Sequence, residues 1–225
     1  MKAFVPALVL LVIAGCASEP PASDVEAQLQ EAIRWYTGET GRVDDAKAQA
    51  MLLEAAESDH PLATMWLARC YSRGRMLFEA DSAQAQTLAR AALDAVRNLA
   101  GEGSVEATFL LGTVYAEGLG VPVDATVAAD WYRKAGERGH VLAQHNLGNV
   151  YFAGDGAPQS DSAAARWWRL AAEQDDAIAQ YRLGFLYEEG RGVLPNDSLA
   201  AVWYRDAAGR GERRAADALE RMGQP

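Results

Sequence analysis

The chain has 225 residues, half of them hydrophobic, which is room for one or two ordinary domains with a sizeable core. Its formal net charge of −10 excludes the basic face that nucleic-acid binding needs, and it excludes docking on anionic lipid through charge. Two cysteines cannot build a disulfide framework for a chain of this length.

In chain order, residues 1–15 read as a leader. Lys2 supplies a short positive region, and Ala3 to Ala14 is an apolar run. That run is too short to cross a bilayer as a mature helix, which takes about 20 residues. It closes on Ile13-Ala14-Gly15-Cys16, which resembles the lipobox of bacterial lipoproteins. The alternative is an ordinary signal peptide that ends near a cysteine. The resemblance implies cleavage before Cys16 and a diacylglycerol on its sulfur, and two or three acyl chains give stable anchoring. Ala17 stands where an acidic residue would be the inner-membrane retention cue, so the expected location is the outer membrane, facing the periplasm. Residues 16–23, with Pro20 and Pro21, form a short extended tether, and the fold is expected to occupy 24–225.

From there the chain repeats itself. Ala107, Ala143, Ala179 and Ala215 are 36 apart, and the same offset links Leu111, Leu147 and Leu183, then Gly112, Gly148 and Gly184. It also links Tyr115, Tyr151 and Tyr187, then Trp131, Trp167 and Trp203, then Ala135, Ala171 and Ala207. A fixed period of this size means a stacked array of small units. The first copy opens with a helix over Val25 to Tyr36, capped by Ser23 or Asp24, and keeps the phase at Ala27, Asp44 and Ala55. The second, from Pro61, is eight residues longer, and the excess falls in its second helix, Asp81 to Leu99. The third, fourth and fifth hold strict spacing. Ala215 to Met222 is a single helix that covers the open end.

Each copy reads as helix A, loop, helix B. In the third, helix A runs from Glu106 to Glu117 with Leu111, Val114 and Tyr115 on one apolar face, and Gly112 admits a close neighbour. Gly118 and Gly120 turn the chain. Asp44, Asp124, Ser160 and Asn196 share one column, and each supplies the short polar side chain that an orphan amide at a helix start needs. Asp59, Gly103, Gly139, Asp175 and Gly211 share another, where the chain leaves helix B. Positive φ is expected there. Helix B carries Ala128, Trp131, Tyr132 and Ala135 inward, and Trp167→Ala is expected to cost about 3–5 kcal/mol.

As a string, the third copy is A-x-x-x-L-G-x-x-Y-x-x-G-x-G-V, then D, then A-x-x-W-Y-x-K-A-x-x-x-G. This closely resembles the Sel-one-like repeat, a cousin of the tetratricopeptide repeat with a longer inter-helix loop. The fourth and fifth copies match through Leu147, Gly148, Tyr151, Gly154, Gly156 and Trp168, and through Leu183, Gly184, Tyr187, Gly190, Gly192, Val193 and Tyr204. The second departs, with Ala68 in the glycine column and no second loop glycine. The resemblance implies an all-α, right-handed α-solenoid of about five helix-turn-helix repeats of 36 residues plus a C-terminal capping helix. It also implies an adaptor that holds a protein or peptide partner, in bacteria often at the cell envelope.

No catalytic grouping, metal site or cofactor site stands out. His60 and His140 lie near repeat junctions and His145 on a helix A, without metal-ligand spacing. Cys70 occupies the column of Val114, Val150 and Leu186 and reads as a small core hydrophobe. Gly118-Leu119-Gly120 and Gly190-Arg191-Gly192 are loop glycines of the repeat, not phosphate cradles. Cysteine-rich envelope relatives of this repeat associated with β-lactam binding or hydrolysis carry paired cysteines, and this chain has no such pairs.

Helix A of such arrays lines the inner surface, and its variable positions form the expected partner groove: Met65 and Arg69; Phe109 and Thr113; His145, Asn149 and Phe152; Tyr181, Phe185 and Glu189. Apolar rings among polar groups suit an extended peptide or a partner helix. The alternative is that these rings pack between neighbouring A helices. Two other functions stay open: an envelope enzyme or peptidoglycan-binding protein acting on the cell wall, and an array that assembles with itself.

Overall fold

The computed structural model describes residues 22–223; the leader, Cys16 and most of the tether lie outside the described residues. All regular structure among the described residues is helical. The helices are α1 (Ala22–Thr37), α2 (Asp45–Ala56), α3 (Pro61–Arg73), α4 (Ser82–Gly101), α5 (Val105–Glu117) and α6 (Ala125–Gly136). They continue with α7 (Val141–Ala153), α8 (Asp161–Ala172), α9 (Ala177–Glu189), α10 (Asp197–Gly209) and α11 (Arg213–Arg221). They pair in sequence as five hairpins, and α11 packs on the last. Helix α1 opens at Ala22, so Ser23 and Asp24 lie inside it rather than capping it.

The repeated columns explain the hairpin. Helices α3, α5, α7 and α9 each end on a left-handed glycine, Gly74, Gly118, Gly154 or Gly190, whose N–H donates to a carbonyl four residues back. The chain then re-enters a helix at Asp44, Asp81, Asp124, Ser160 or Asn196, each accepting from the N–H three residues on. The N–H of that same residue donates back to the carbonyl of Trp35, Tyr71, Tyr115, Tyr151 or Tyr187 at 2.8–3.0 Å. One residue therefore starts helix B and ties it to the end of helix A. Leaving helix B, Asp59, Gly103, Gly139, Asp175 and Gly211 all have positive φ, between 53° and 99°. The excess length of the second copy is in α4, which has 20 residues against 12 in α6 and α8.

Packing within each hairpin rests on a glycine facing a ring. A Cβ on Gly112 would stand 2.4 Å from Tyr132, one on Gly148 2.2 Å from Trp168, and one on Gly184 2.8 Å from Tyr204. These rings are buried: Tyr132 is 5% exposed, and Trp168 and Tyr204 are 0%. This corrects the expectation for the preceding column. Trp131, Trp167 and Trp203 are half-buried, because adjacent residues on a helix point about 100° apart and only one of each pair can enter the hairpin. Trp167 instead leans on the preceding hairpin, at Gly136.

The curve of the array is tight. Helices α3, α5 and α7 pack directly on one another, closer than successive B helices, so the A helices are on the inside. The two ends of the array meet. Val43 N–H donates to the Arg210 carbonyl at 2.9 Å, Arg210 Nη1 donates to the Gly38 carbonyl at 3.0 Å, and Arg210 also pairs with Asp175.

Candidate functional site

Inside this curve lie two cavities, of about 310 and 210 Å³, that share Arg69, Arg75, Asn146 and Asn149. Helix α3 brings Arg69, the turn after it brings Arg75, and α7 brings both asparagines. Tyr36, His145 and Asp176 complete the smaller one. The ends of the array must meet for this to happen, since Tyr36 belongs to α1 and Asp176 caps α9.

Arg69 is 5% exposed. Its guanidinium carbon lies 4.5 Å from the ring centroid of Trp66, 5.5 Å from Phe109 and 5.7 Å from Tyr36. Such contacts are worth about 0.5–2 kcal/mol each. Taking a cation out of water costs several kcal/mol. Among the described residues, its Nε and Nη1 are buried with no hydrogen-bond partner. Arg75 differs. It donates to the Arg69 carbonyl at 2.6 Å and forms an ion pair with Glu117. Burial alone would lower its pKa, but Glu117 holds it above the ordinary value. His145 Nδ1 lies 3.2 Å from Asp176 Oδ1, which also accepts from the Ala179 N–H at 2.7 Å.

A second buried carboxylate serves the scaffold. Glu106 on α5 accepts from Gln30 Nε2 at 2.9 Å and from Trp66 Nε1 at 2.7 Å, and lies 3.1 Å from His140 Nε2. His140 Nδ1 accepts from the Ala143 N–H at 3.3 Å, so Nε2 carries the proton and donates to Glu106. Burial pushes Glu106 up, but His140, Trp66 and Gln30 together hold it below its ordinary value. Four A helices, α1, α3, α5 and α7, meet on this one saturated carboxylate.

The predicted groove residues separate into two groups. Arg69, His145 and Asn149 come together around the smaller cavity. Met65, Phe109 and Thr113 do not face a partner: they are buried at 0–1% exposure, because α5 is clasped between α3 and α7. Phe109 stacks on His140 at 4.3 Å and lies 5.9 Å from Tyr132. Phe152 meets Trp168 and Phe185 at 5.3 and 6.4 Å, and Tyr181 meets Tyr204 at 5.7 Å. The Phe152–Phe185 contact joins neighbouring A helices, as the alternative stated from the sequence has it, whereas the contacts to Tyr132, Trp168 and Tyr204 are made to helix B of the same hairpin. Glu189 is exposed at the end of α9, apart from both cavities. Arg75, Asn146 and Asp176 are lining residues that the groove pattern missed, since they stand in a loop, on another helix register and at a cap. Cys70 is buried, and burial pushes its thiol up to about 11.

Stacked helix hairpins curved around a polar inner cavity define a helical-repeat protein. The chain belongs to the Sel1 repeat family, whose model matches residues 22–37, 36–60, 61–95, 105–140, 141–176 and 177–212. The first two segments together make the first hairpin. Sel1 repeats generally mediate protein–protein interaction, and proteins built from them are typically non-catalytic scaffolds. The fold is similar to a protective antigen of uropathogenic Escherichia coli strains that displays an SLR fold (33% identity, TM-score 0.54). That likeness covers 85% of this chain but 39% of the antigen's length. It is also similar to a Sel1 repeat protein from Oxalobacter formigenes (27% identity, TM-score 0.55), covering 87% of this chain and 76% of that one. No curated protein sequence matches the chain significantly.

Proposed function

We propose that this protein is a non-catalytic cell-envelope scaffold, lipid-anchored through Cys16 to the outer membrane on its periplasmic side, that holds a protein or peptide partner on the inner face of its A helices. The anchor and the location rest on the lipobox resemblance of Ile13-Ala14-Gly15-Cys16. The observation that carries the binding reading is the inner cavity where Arg69, Arg75, Asn146 and Asn149 converge from separate repeats. Asn146 stands in the register where other repeats place the buried Trp66 and Leu110, and Arg75 in that of the buried Leu119. The family's general role in protein interaction supports the same reading.

Two measurements test it. A photoreactive residue at Asn149 is expected to capture a partner in cells, whereas one at Leu170, exposed on α8, is not. Equal capture from both positions overturns the inner-face reading. Labelled fatty acid is expected to enter the wild-type chain and to be absent from Cys16→Ser; label in both overturns the anchor.

A further inference from the structure

We infer that the cavity at Arg69 binds a carboxylate of the partner; this deepens the scaffold reading and rests on it. The argument is one of charge and geometry. Arg73 and Arg75 are both paired by Glu117, Asp176 faces His145, and Glu106 is saturated by three donors. Asp155 lines the larger cavity but not the smaller. Arg69 is left over. Among the described residues its Nε and Nη1 are buried without an acceptor, and the side chain lines both cavities. Rings surround it, and rings compensate a cation without taking its N–H groups.

The repeat register sharpens the point. Equivalent positions hold Ile33, Thr113, Asn149 and Phe185, so stacking asks for no charge there. A single cation in that column, within a chain of net charge −10, is a local positive spot on an acidic molecule. A planar guanidinium presents its donors in a fork that fits a planar carboxylate. One unpaired positive charge balances one negative charge, which favours a monoanion over a phosphate dianion. Asn146 and Asn149 line the same space and bring amide donors for the outer oxygen. About 210 Å³ admits a chain end or an acidic side chain, not a folded surface. The source is therefore either a C-terminal carboxylate or an Asp or Glu side chain.

The test is a titration of the full chain, ¹⁵N-labelled in detergent, observed at the Arg69 Nε–H resonance, which Arg69→Met identifies by its loss. N-acetylglycine stands for a chain end, N-acetylaspartate amide for an acidic side chain, and N-acetylglycine amide for the neutral control. A saturable shift with either acid and none with the neutral amide is the expected result. The tighter of the two acids names the source. Binding of the preferred acid, read by calorimetry, is expected to weaken by about tenfold or more in Arg69→Met. Should that variant misfold, Asn149→Asp, which adds a negative charge at the cavity, is expected to weaken the acid by a similar factor. No shift with either acid at millimolar concentration, or an equal response to inorganic phosphate, overturns the inference. Capture through position 149 that persists undiminished in Arg69→Met overturns it while leaving the scaffold reading intact. Carboxylate binding with no partner captured in cells sinks the scaffold reading and leaves the site.

Discussion

The second and fourth hairpins solve the same packing problem in different ways. In the fourth, Gly148 lies under the buried ring of Trp168, the loop turns on Gly154 and Gly156, and Ser160 caps α8. In the second, Ala68 replaces the glycine, and Ala89, eight residues after its cap as Trp168 is after Ser160, replaces the ring. Both alanines are fully buried. Small against small keeps the helices together as well as glycine against a ring. The loop of the second hairpin pays more: Met76 and Leu77 hold positive φ, at 50° and 62°, where L side chains are strained. The irregular hairpin carries Arg69 and Arg75 to the inner cavity, and the regular one carries His145, Asn146 and Asn149. Departure from the repeat therefore marks where the cavity takes its arginines.

The sharpest way to break the comparison is to remove the ring. Trp168→Ala is expected to cost about 3–5 kcal/mol by thermal or denaturant unfolding, and half-buried Trp167→Ala clearly less. Equal losses would return the core to the Trp131, Trp167 and Trp203 column. Gly148→Ala drives a Cβ into Trp168 and is expected to cost about 1–3 kcal/mol, whereas Ala68→Gly in the second hairpin loses only about 1 kcal/mol of helix propensity. Glu106→Gln tests the carboxylate that joins four A helices, with an expected loss of about 1–3 kcal/mol at neutral pH. Its folded pKa is below the ordinary 4.5, so its contribution is present above 4.5 and is lost as pH falls through the folded value. The variant is expected to lack that part of the acid limb in a pH series of melting curves. The smallest effect is a gain. Leu77 is 63% exposed, so Leu77→Gly relieves its backbone at little packing cost, by about 1 kcal/mol or roughly 2–4 °C in melting temperature.

The hairpins were legible because their determinants are local. A cap needs a short polar side chain, a helix exit needs glycine or aspartate, and both recur at fixed offsets in Asp124, Ser160, Asn196 and in Gly139, Asp175, Gly211. Which ring of Trp167 and Trp168 is buried was not legible from their column alone. The signal was across the hairpin, in Gly148, and needed the facing partner to be read. The inner surface was legible only in part. Arg69, His145 and Asn149 line it, but Met65, Phe109 and Thr113 are covered, because burial there depends on how steeply the array curves. Curvature is the sum of small rotations between hairpins, and it is altered by the two added turns of α4; no single column records it.

The junction of Arg210 with Gly38, Val43 and Asp175 has a consequence for chain length. An open stack tolerates excision or duplication of a unit, since each unit touches only its neighbours. Here the last turn must arrive at the first, so the number of units is fixed as links are in a fastened bracelet. Deleting residues 141–176 removes one whole link in phase, yet the clasp no longer reaches. The terminal hairpins would then fray independently, where in the intact chain they lock each other.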